Sequence, residues 1–315
     1  MAAESSDPRT VLVCDVGGSH VSAALCHLDN FRILHRVTAP LCPETSSSEF
    51  LDLIHQLGKE VIGDSCVKGA VLAVPGPFDC LAGVSHMRHK LKSLYGVDLR
   101  RLLADRFHWK PQQVRFLNDA AAFLLGEVKA GSARGAVRAG GIALGTGIGS
   151  AFACDGRWVT EGSGVPPGGE IWNLSYAGGV VEDLLSTRAI KREYSMWTAR
   201  DEDVVTIAAS AAHDERARAV FESFGDNLGK VFVDILAPFS PDIVVLGGGI
   251  SRSAHLFLPF AQNQLNGIRM KLVTSSLLDE APLVGAAAFW LNGIDISPEP
   301  ACLEPAEDHP FSDES

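Results

Sequence analysis

The sequence contains two glycine-rich turns, and each lies between two short apolar segments. The first turn is Asp15–His20 and the second is Leu144–Ser150. Apolar, partly β-branched segments on both sides of glycine predict two β-hairpins. Because the run Gly145–Gly149 leads into a strand, and no G-x-G-x-x-G stands between a strand and a helix, a dinucleotide-binding fold is disfavoured. The hairpins instead predict an α/β chain built from two similar halves.

Further strands and helices are predicted after each hairpin. Apolar residues at helical spacing indicate helices, and short buried runs that end at Gly, Pro or Asn indicate strands. The predicted strands are Val11–Asp15, Val21–Leu28, Ile33–Thr38, Gly69–Val74, Val114–Leu117, Gly141–Leu144, Ser150–Cys154 and Ile243–Leu246. The predicted helices are Glu49–Ile62, Leu99–Phe107, Asp119–Lys129, Val180–Arg192, Ala217–Leu236 and Val284–Leu291. The acidic tail, residues 297–315, is predicted to be disordered.

Composition restricts the classes of protein to which the chain can belong. Its 315 residues exceed the usual size of one domain, so two domains are expected. The net charge of −11 argues against a nucleic-acid partner, which requires a basic surface. No apolar run is long enough to cross a bilayer, and Met1–Thr10 lacks the basic start and apolar stretch of a signal peptide. We therefore expect a cytoplasmic protein with no membrane partner.

The chemistry of the glycine turns favours phosphate binding. Glycine has no β-carbon, so backbone N–H groups can converge on an anion. Asp15 at the end of the first strand suits Mg²⁺, which is usually bound partly through water. A third glycine cluster, Gly247–Gly249, follows another strand and leaves room for a flat nucleoside. Each turn alone is equally compatible with an ordinary hairpin, but three such clusters together favour a nucleotide site.

Asn118 and Asp119 stand between a predicted strand and a predicted Ala-rich helix. One interpretation is a helix N-cap, because Asn and Asp are favoured at that position. The other is a catalytic base, because phosphoryl transfer needs positioning, neutralisation of charge and a group that accepts the hydroxyl proton. Both interpretations stay open from these two residues alone.

Taken together, the motifs resemble those of the ROK and bacterial glucokinase families, in the same order and over nearly the whole chain, from Val11 to Leu291. The resemblance implies an α/β, two-lobed actin-like ATPase fold (ribonuclease H-like) with a cleft between the lobes. It also implies lobes of 1–117 with about 286–296, and of 118–285. The motifs that carry it are Asp15-Val-Gly-Gly-Ser, Pro75-Gly-Pro-Phe-Asp, Asn118-Asp-Ala-Ala-Ala, Leu144-Gly-Thr-Gly-Ile-Gly, Gly169-Glu, Leu246-Gly-Gly-Gly-Ile and Val284-Gly-Ala-Ala.

Roles for individual residues follow from this resemblance. Asp119 would be the catalytic base, and the sugar would contact Gly76, Asn118, Asp119, Glu170 and Asn173. Mg-ATP would be bound by the first turn through Asp15, Gly17, Gly18 and Ser19, with Asp15 as the magnesium ligand. The second turn would contribute Gly145, Thr146 and Gly147, and Gly248 and Gly249 would flank the nucleoside. Related kinases are commonly dimers, so a homodimer is the expected assembly.

The chain departs from the family pattern at two places. Asn173 stands where a histidine is expected, and Tyr176–Glu182 replaces a zinc-binding cysteine segment with one that has no cysteine. We therefore predict no structural zinc. A basic segment, His86–Lys92, lies where the family often has an Asn-Leu pair near the sugar. It is interpreted as a solvated loop, with the alternative that Arg88, Lys90 or Lys92 meets an anionic substrate or partner.

These observations predict an ATP-dependent sugar kinase of the glucokinase type that phosphorylates a hexose, with O6 of glucose as the default acceptor. The alternatives are an N-acetylhexosamine kinase and a non-catalytic sugar sensor on the same fold. A ROK-type transcriptional regulator is disfavoured because the Asp15 turn starts a few residues after Met1, which leaves no room for a preceding helix-turn-helix.

Overall fold

The computed structural model describes residues 9–88 and 90–292, so the predicted disordered tail lies outside the described residues. Up to residue 130 the strands are β1 (Thr10–Val16), β2 (His20–His27), β3 (Ile33–Pro40), β4 (Ala70–Val74), β5 (Phe78–Asp79), β6 (Val84–Ser85) and β7 (Val114–Asn118). The helices of this part are α1 (Ser47–Ile62), α2 (Leu99–Phe107) and α3 (Asp119–Ala130).

The second part of the chain repeats the same alternation of strands and helices. Its strands are β8 (Arg138–Leu144), β9 (Ile148–Cys154), β10 (Arg157–Val159), β11 (Ser175–Tyr176), β12 (Gly179–Val180), β13 (Ile243–Gly247) and β14 (Lys271–Thr274). Its helices are α4 (Thr187–Thr198), α5 (Val204–Ser210), α6 (Glu215–Val231), α7 (Ala254–Gln264) and α8 (Ala281–Asn292). None of the helices within residues 9–88 and 90–292 is long and apolar enough to cross a lipid bilayer.

The two large sheets have the same topology. The first has the strand order β3-β2-β1-β4-β7 and the second β10-β9-β8-β13-β14. In each, a hairpin of antiparallel strands is followed by two strands that run parallel to its first strand, as β1, β4 and β7 do in one sheet and β8, β13 and β14 in the other. This repeat confirms the predicted plan of two similar halves that each open with a β-hairpin.

Helices α3 and α8 lie between the two sheets and form the centre of the molecule. Their apolar residues share one core with Val13 and Val71 of the first sheet and with Ala153 and Val245 of the second. The outer face of the first sheet is covered by α1 and α2, and that of the second by α4, α6 and α7. The central strands of each sheet are therefore buried on both faces, which agrees with the nearly continuous apolar sequences of β1, β4 and β13.

The backbones of α3 and α8 come into direct contact because both helices have a glycine at the crossing. A β-carbon on Gly126 would lie 2.0 Å from the carbonyl oxygen of Ala281, and Gly285 meets Ala122 in the same way. Only glycine allows two helices to approach so closely. The small side chains in the sequence of α3 and α8 are thus required by this crossing.

Glu127, near the end of α3, is a fully buried acid whose carboxylate is hydrogen-bonded throughout. Its Oε1 accepts from the Ser275 hydroxyl at 2.5 Å and from the Leu277 N–H at 3.1 Å. Its Oε2 accepts from the Ser132 N–H at 2.7 Å. Because buried charges are tolerated when they are fully hydrogen-bonded, this carboxylate ties α3 to the loop that follows β14.

The structure corrects one predicted helix and adds elements that the pattern did not indicate. The predicted helix Val180–Arg192 is broken, because a short 3₁₀ turn, Val181–Asp183, is followed by a new start at Ser186, whose hydroxyl caps α4 by accepting from the Ala189 N–H at 3.4 Å. The predicted Val284–Leu291 helix begins earlier, at Ala281. The α-helices α5 and α7 were missed, as were the strands β5, β6, β10, β11, β12 and β14. The lobe boundaries given above stay a prediction.

Candidate active site

Asn118 and Asp119 lie where β7 ends and α3 begins. The Asn118 Oδ1 accepts a hydrogen bond from the Ala121 N–H at 3.1 Å, so the N-cap interpretation of this residue is confirmed. The cap fixes the amide with its Nδ2 only 3.9 Å from where a β-carbon on Gly76 would lie. Asp119 is half-buried, and its Oδ1 accepts from the Ala120 N–H at 2.8 Å. Capping therefore orients both side chains and leaves polar atoms free for a ligand.

A cavity of about 320 Å³ lies beside this helix start, between the two sheets. It brings together three predicted sugar-binding residues, Gly76, Asn118 and Glu170, from distant parts of the chain. A β-carbon on Gly76 would be 3.9 Å from the Glu170 Oε1, so this acid and the Asn118 amide face the same point. The remaining lining residues are Val74, Pro77, Phe78, Cys80, Ser150, Trp158, Thr160 and Gly168.

Glu170 is held at the cavity by its neighbours on both sides. The Ser150 hydroxyl donates to the Gly169 carbonyl at 2.8 Å and accepts from the Ile171 N–H at 3.1 Å. Gly169 has φ +71°, a left-handed conformation that favours glycine and turns the loop toward the cavity. The Trp172 indole Nε1 donates to the Glu170 Oε2 at 2.8 Å, which fixes the orientation of the carboxylate.

The first glycine turn connects β1 and β2 and exposes its backbone. The Gly17 N–H donates to the His20 carbonyl at 2.9 Å, which closes the hairpin. Gly18 and Ser19 are exposed, and nothing lies within 4 Å of a β-carbon placed on Gly18. The turn thus offers N–H groups on an open side. Asp15, near the end of β1, directly precedes the turn and is half-buried.

The second glycine turn and the third glycine cluster pack against each other. The Gly145 N–H donates to the Gly147 carbonyl at 2.9 Å, and Thr146 at the tip is exposed. A β-carbon on Gly248 would lie 2.3 Å from the Leu144 carbonyl oxygen, so glycine is required for this contact. Gly249 has open space around it. The second turn and the third cluster, predicted to bind one nucleotide, are therefore adjacent.

Asp119 lies within electrostatic reach of both regions. Burial raises the pKa of Asp119 above its usual range, the Ala120 N–H and the Lys90 ammonium oppose that rise, and Glu170 adds to it. Burial also raises the pKa of Asp15 to about 7; the Asp119 charge adds to this rise and Arg36 opposes it. Asp119 thus interacts with Glu170 at the cavity and with Asp15 at the first turn.

The surroundings of Asp15 fit a divalent cation. Its carboxylate is desolvated and is repelled by the charges of Asp119 and Asp279, which a cation would relieve. Within the described part of the chain, no three His, Cys, Asp or Glu side chains form a group that could hold a metal ion. A single protein carboxylate agrees with Mg²⁺ that is bound mainly by water and phosphate oxygens. The expected absence of structural zinc stays a prediction.

Two of the predicted sugar-binding residues, Asp119 and Asn173, are not among the described residues that line the cavity, and several other residues were missed. Asn173 is exposed and is not among the described residues that line the cavity, so its contact with sugar stays a prediction. Ser150 in β9 and Thr160 just after β10 were missed, because an isolated hydroxyl residue gives no sequence signal. Trp158 also lines the cavity, and its sequence context does not distinguish it from the many aromatic residues that only pack. Lys90 was singled out only for an anionic ligand, yet its charge acts on Asp119.

The fold is that of the actin-like ATPases, in which two related α/β lobes enclose a cleft. A solved structure of a ROK family glucokinase from Streptomyces griseus in complex with glucose and AMPPNP matches this fold with a TM-score of 0.74. The match covers 89% of this chain and 98% of that one, at 20% sequence identity. This comparison confirms the predicted fold class.

Within that class, the chain belongs to the ROK family, whose model matches residues 11–292. The glucokinase of Thermotoga maritima is 28% identical over 314 residues, covering 90% of this chain and 98% of the relative. The N-acetyl-D-glucosamine kinase of Salmonella typhimurium is 29% identical over 270 residues, covering 79% of this chain and 86% of the relative. The resemblance seen in the motifs is thereby confirmed.

Proposed function

We propose that this ROK protein is an ATP-dependent sugar kinase that transfers the γ-phosphate to a hexose hydroxyl, with O6 of glucose as the first acceptor to test. The observation that carries the proposal is the position of Asp119. Asp119 directly follows Asn118, which lines the sugar-sized cavity, at the start of α3, and its charge acts on Asp15 beside the first glycine turn. A base between a phosphate site and a polyol site is what direct phosphoryl transfer to an alcohol requires.

The sugar would bind in the 320 Å³ cavity. Glu170 would accept hydrogen bonds from sugar hydroxyls, and the Asn118 Nδ2 would donate one. Because the Asn118 Oδ1 is already occupied by the helix cap, its amide presents a donor and not an acceptor to the cavity. Trp158 and Trp172 would add apolar contact with the sugar ring.

In the reaction, the oxygen of the sugar hydroxyl would bond to the γ-phosphorus as the bond to ADP breaks. The carboxylate of Asp119 would take the proton that this hydroxyl loses. The raised pKa of Asp119 makes it a better proton acceptor than an exposed aspartate. Backbone N–H groups of the two glycine turns would hold the phosphates. Mg²⁺, held by Asp15 through water, would neutralise charge on the phosphate oxygens.

The relatives support ATP as the phosphate donor and a hexose as the acceptor. The Streptomyces griseus structure contains glucose and AMPPNP, and the Thermotoga maritima relative is a glucokinase. The Salmonella relative supports the second candidate, an N-acetylhexosamine kinase. Asn173, which is exposed, stands where the family has a histidine, three residues after Glu170. This replacement is expected to affect whether a hexose or an N-acetylhexosamine is preferred.

The test is a coupled ADP-release assay over a panel of hexoses, N-acetylhexosamines and sugar acids. We expect sugar-dependent turnover in the wild type and a loss of about a thousandfold in kcat in Asp119→Asn, with little change in sugar affinity. Asp64→Asn, at an exposed position, is the matched control and is expected to leave turnover unchanged. Sugar binding by calorimetry without any turnover would instead support the sensor alternative.

A further inference from the structure

A carboxylate lies directly against the second glycine turn. The Glu182 Oε2 accepts from the Ile148 N–H at 3.3 Å and lies 2.3 Å from where a β-carbon on Gly147 would be. The short 3₁₀ turn Val181–Asp183 carries this residue, and the Glu182 N–H donates to the Trp172 carbonyl at 3.1 Å. An acid at this place opposes anion binding unless a cation neutralises it.

That cation is Arg188 in the first turn of α4. Its guanidinium donates to the Glu182 Oε1 at 2.7 Å. The neighbouring Thr187 N–H donates to the Gly145 carbonyl at 2.8 Å, so the start of α4 is attached to the same glycine turn. Arg188 and the turn are therefore connected twice, through Glu182 and through Thr187, and their spacing is fixed.

The Arg188 side chain is 66% exposed although Glu182, its partner, is only 24% exposed. A guanidinium has five N–H donors in a planar fork. Within the described part of the chain, its one hydrogen bond is the bond to Glu182, which leaves donors facing solvent beside the turn. Arginine presented in this way is well suited to phosphate oxygens.

We propose that Arg188, oriented by Glu182, binds a phosphate of the nucleotide and completes the second glycine turn as a phosphate site. The inference rests on the proposed kinase function and deepens it. Glu182 acts as a positioning residue that holds the guanidinium next to Gly147 and occupies the Ile148 N–H. The phosphate then receives charge-assisted hydrogen bonds from Arg188 in addition to backbone N–H groups.

A simpler role for Arg188 is to neutralise Glu182 without touching the ligand. A double-mutant cycle separates the two, using Arg188→Ala, Glu182→Gln and the double variant. Dissociation constants for ATP, ADP and adenosine would be measured by calorimetry, with and without Mg²⁺, beside the KM values for ATP and sugar. Arg192→Ala, one turn further along α4 and exposed, is the matched control, because among the described residues the one hydrogen bond of its guanidinium goes to the Asp183 carbonyl.

We expect Arg188→Ala to weaken ATP and ADP binding about tenfold or more, with adenosine binding and the sugar KM unchanged. A smaller but clear loss is expected in the Glu182→Gln background, because an amide oxygen at this position still accepts from Arg188 but no longer holds it by charge. If Arg188→Ala has no effect in that background, or weakens adenosine as much as ATP, the inference is overturned. A wild type that phosphorylates sugars while Arg188→Ala binds ATP normally defeats this inference alone. A wild type that binds no nucleotide defeats the proposed function as well.

Discussion

Gly285 in α8 lies against the main-chain carbonyl of Ala122 in α3, so closely that a β-carbon on Gly285 would be 1.8 Å from the Ala122 oxygen. Backbone cannot move aside as the end of a flexible side chain can. This contact holds the two central helices together, and through them the two sheets.

Replacing this glycine is therefore expected to destabilise the whole molecule. Gly285→Ala should lower the free energy of unfolding by about 3 kcal/mol, because the helices must separate to admit the methyl group. The midpoint of urea denaturation measures the change. Gly140→Ala is the matched control, since the nearest atoms to its β-carbon would be those of the Val244 side chain, at 3.3 Å and beyond, and not backbone atoms. Equal midpoints for the two variants would show that the helix crossing is not as tight as described.

Ser150 is expected to affect sugar binding without touching nucleotide binding. Ser150→Ala removes both hydrogen bonds that hold the Glu170 loop, to the Gly169 carbonyl and from the Ile171 N–H. We expect the sugar KM to rise about tenfold, which corresponds to about 1.4 kcal/mol, with the KM for ATP unchanged. Ser65→Ala, at an exposed position, is the control. A parallel rise in both KM values would mean that the loop is not specific to the sugar side.

Lys90 is expected to affect the pH below which kcat falls. Its ammonium lowers the pKa of Asp119, while burial and Glu170 raise it. Removing the charge in Lys90→Met should raise that pKa, so that Asp119 becomes protonated, and inactive as a base, at a higher pH. The acid limb of the plot of kcat against pH is thus expected to move to higher pH. Lys92→Met, exposed in the same loop, controls for a general loss of charge, and an unmoved limb in Lys90→Met would contradict the assignment.

Glu127 is expected to contribute strongly to stability. Glu127→Gln keeps the shape of the side chain but turns one acceptor oxygen into an N–H₂ group. That group would face the Ser132 N–H if it replaced Oε2, or the Leu277 N–H if it replaced Oε1. We expect a loss of about 2–3 kcal/mol in the free energy of unfolding, measured by urea denaturation. Glu60→Gln, at an exposed position in α1, should be neutral. A neutral result at Glu127 would show that the buried carboxylate is not needed.

The sequence was most informative where residue type and position are both restricted. The two glycine turns, the Asn118 cap and the strands that end at them were predicted because only a few residue types serve in those places. Their repetition predicted an α/β chain of two similar halves, and the resemblance of the motifs to the ROK family implied the two-lobed fold. The start of α4 was misplaced because its cap, Ser186, is a common residue, and the helical pattern of Val180–Arg192 continues through the break.

The parts of the site that were missed depend on contacts between distant residues. Ser150 lies in β9 and supports a loop twenty residues later, and nothing in its own neighbourhood indicates this role. The same holds for Glu182, whose position against Gly147 is created by the fold. Pairings of this kind appear only when the chain is seen in three dimensions.

The contact of Gly248 with Leu144 has a consequence for ligand recognition. Gly248 of the third glycine cluster packs against the backbone of Leu144, at the start of the second turn. This contact holds the two loops at a fixed distance from each other. The distance between the two parts of a nucleotide site here would therefore be fixed before the ligand binds. Because the two loops are already ordered by folding, binding would not cost the entropy of ordering them. Ligands in which the distance between the phosphate groups and the base differs from that of the nucleotide would then bind less tightly.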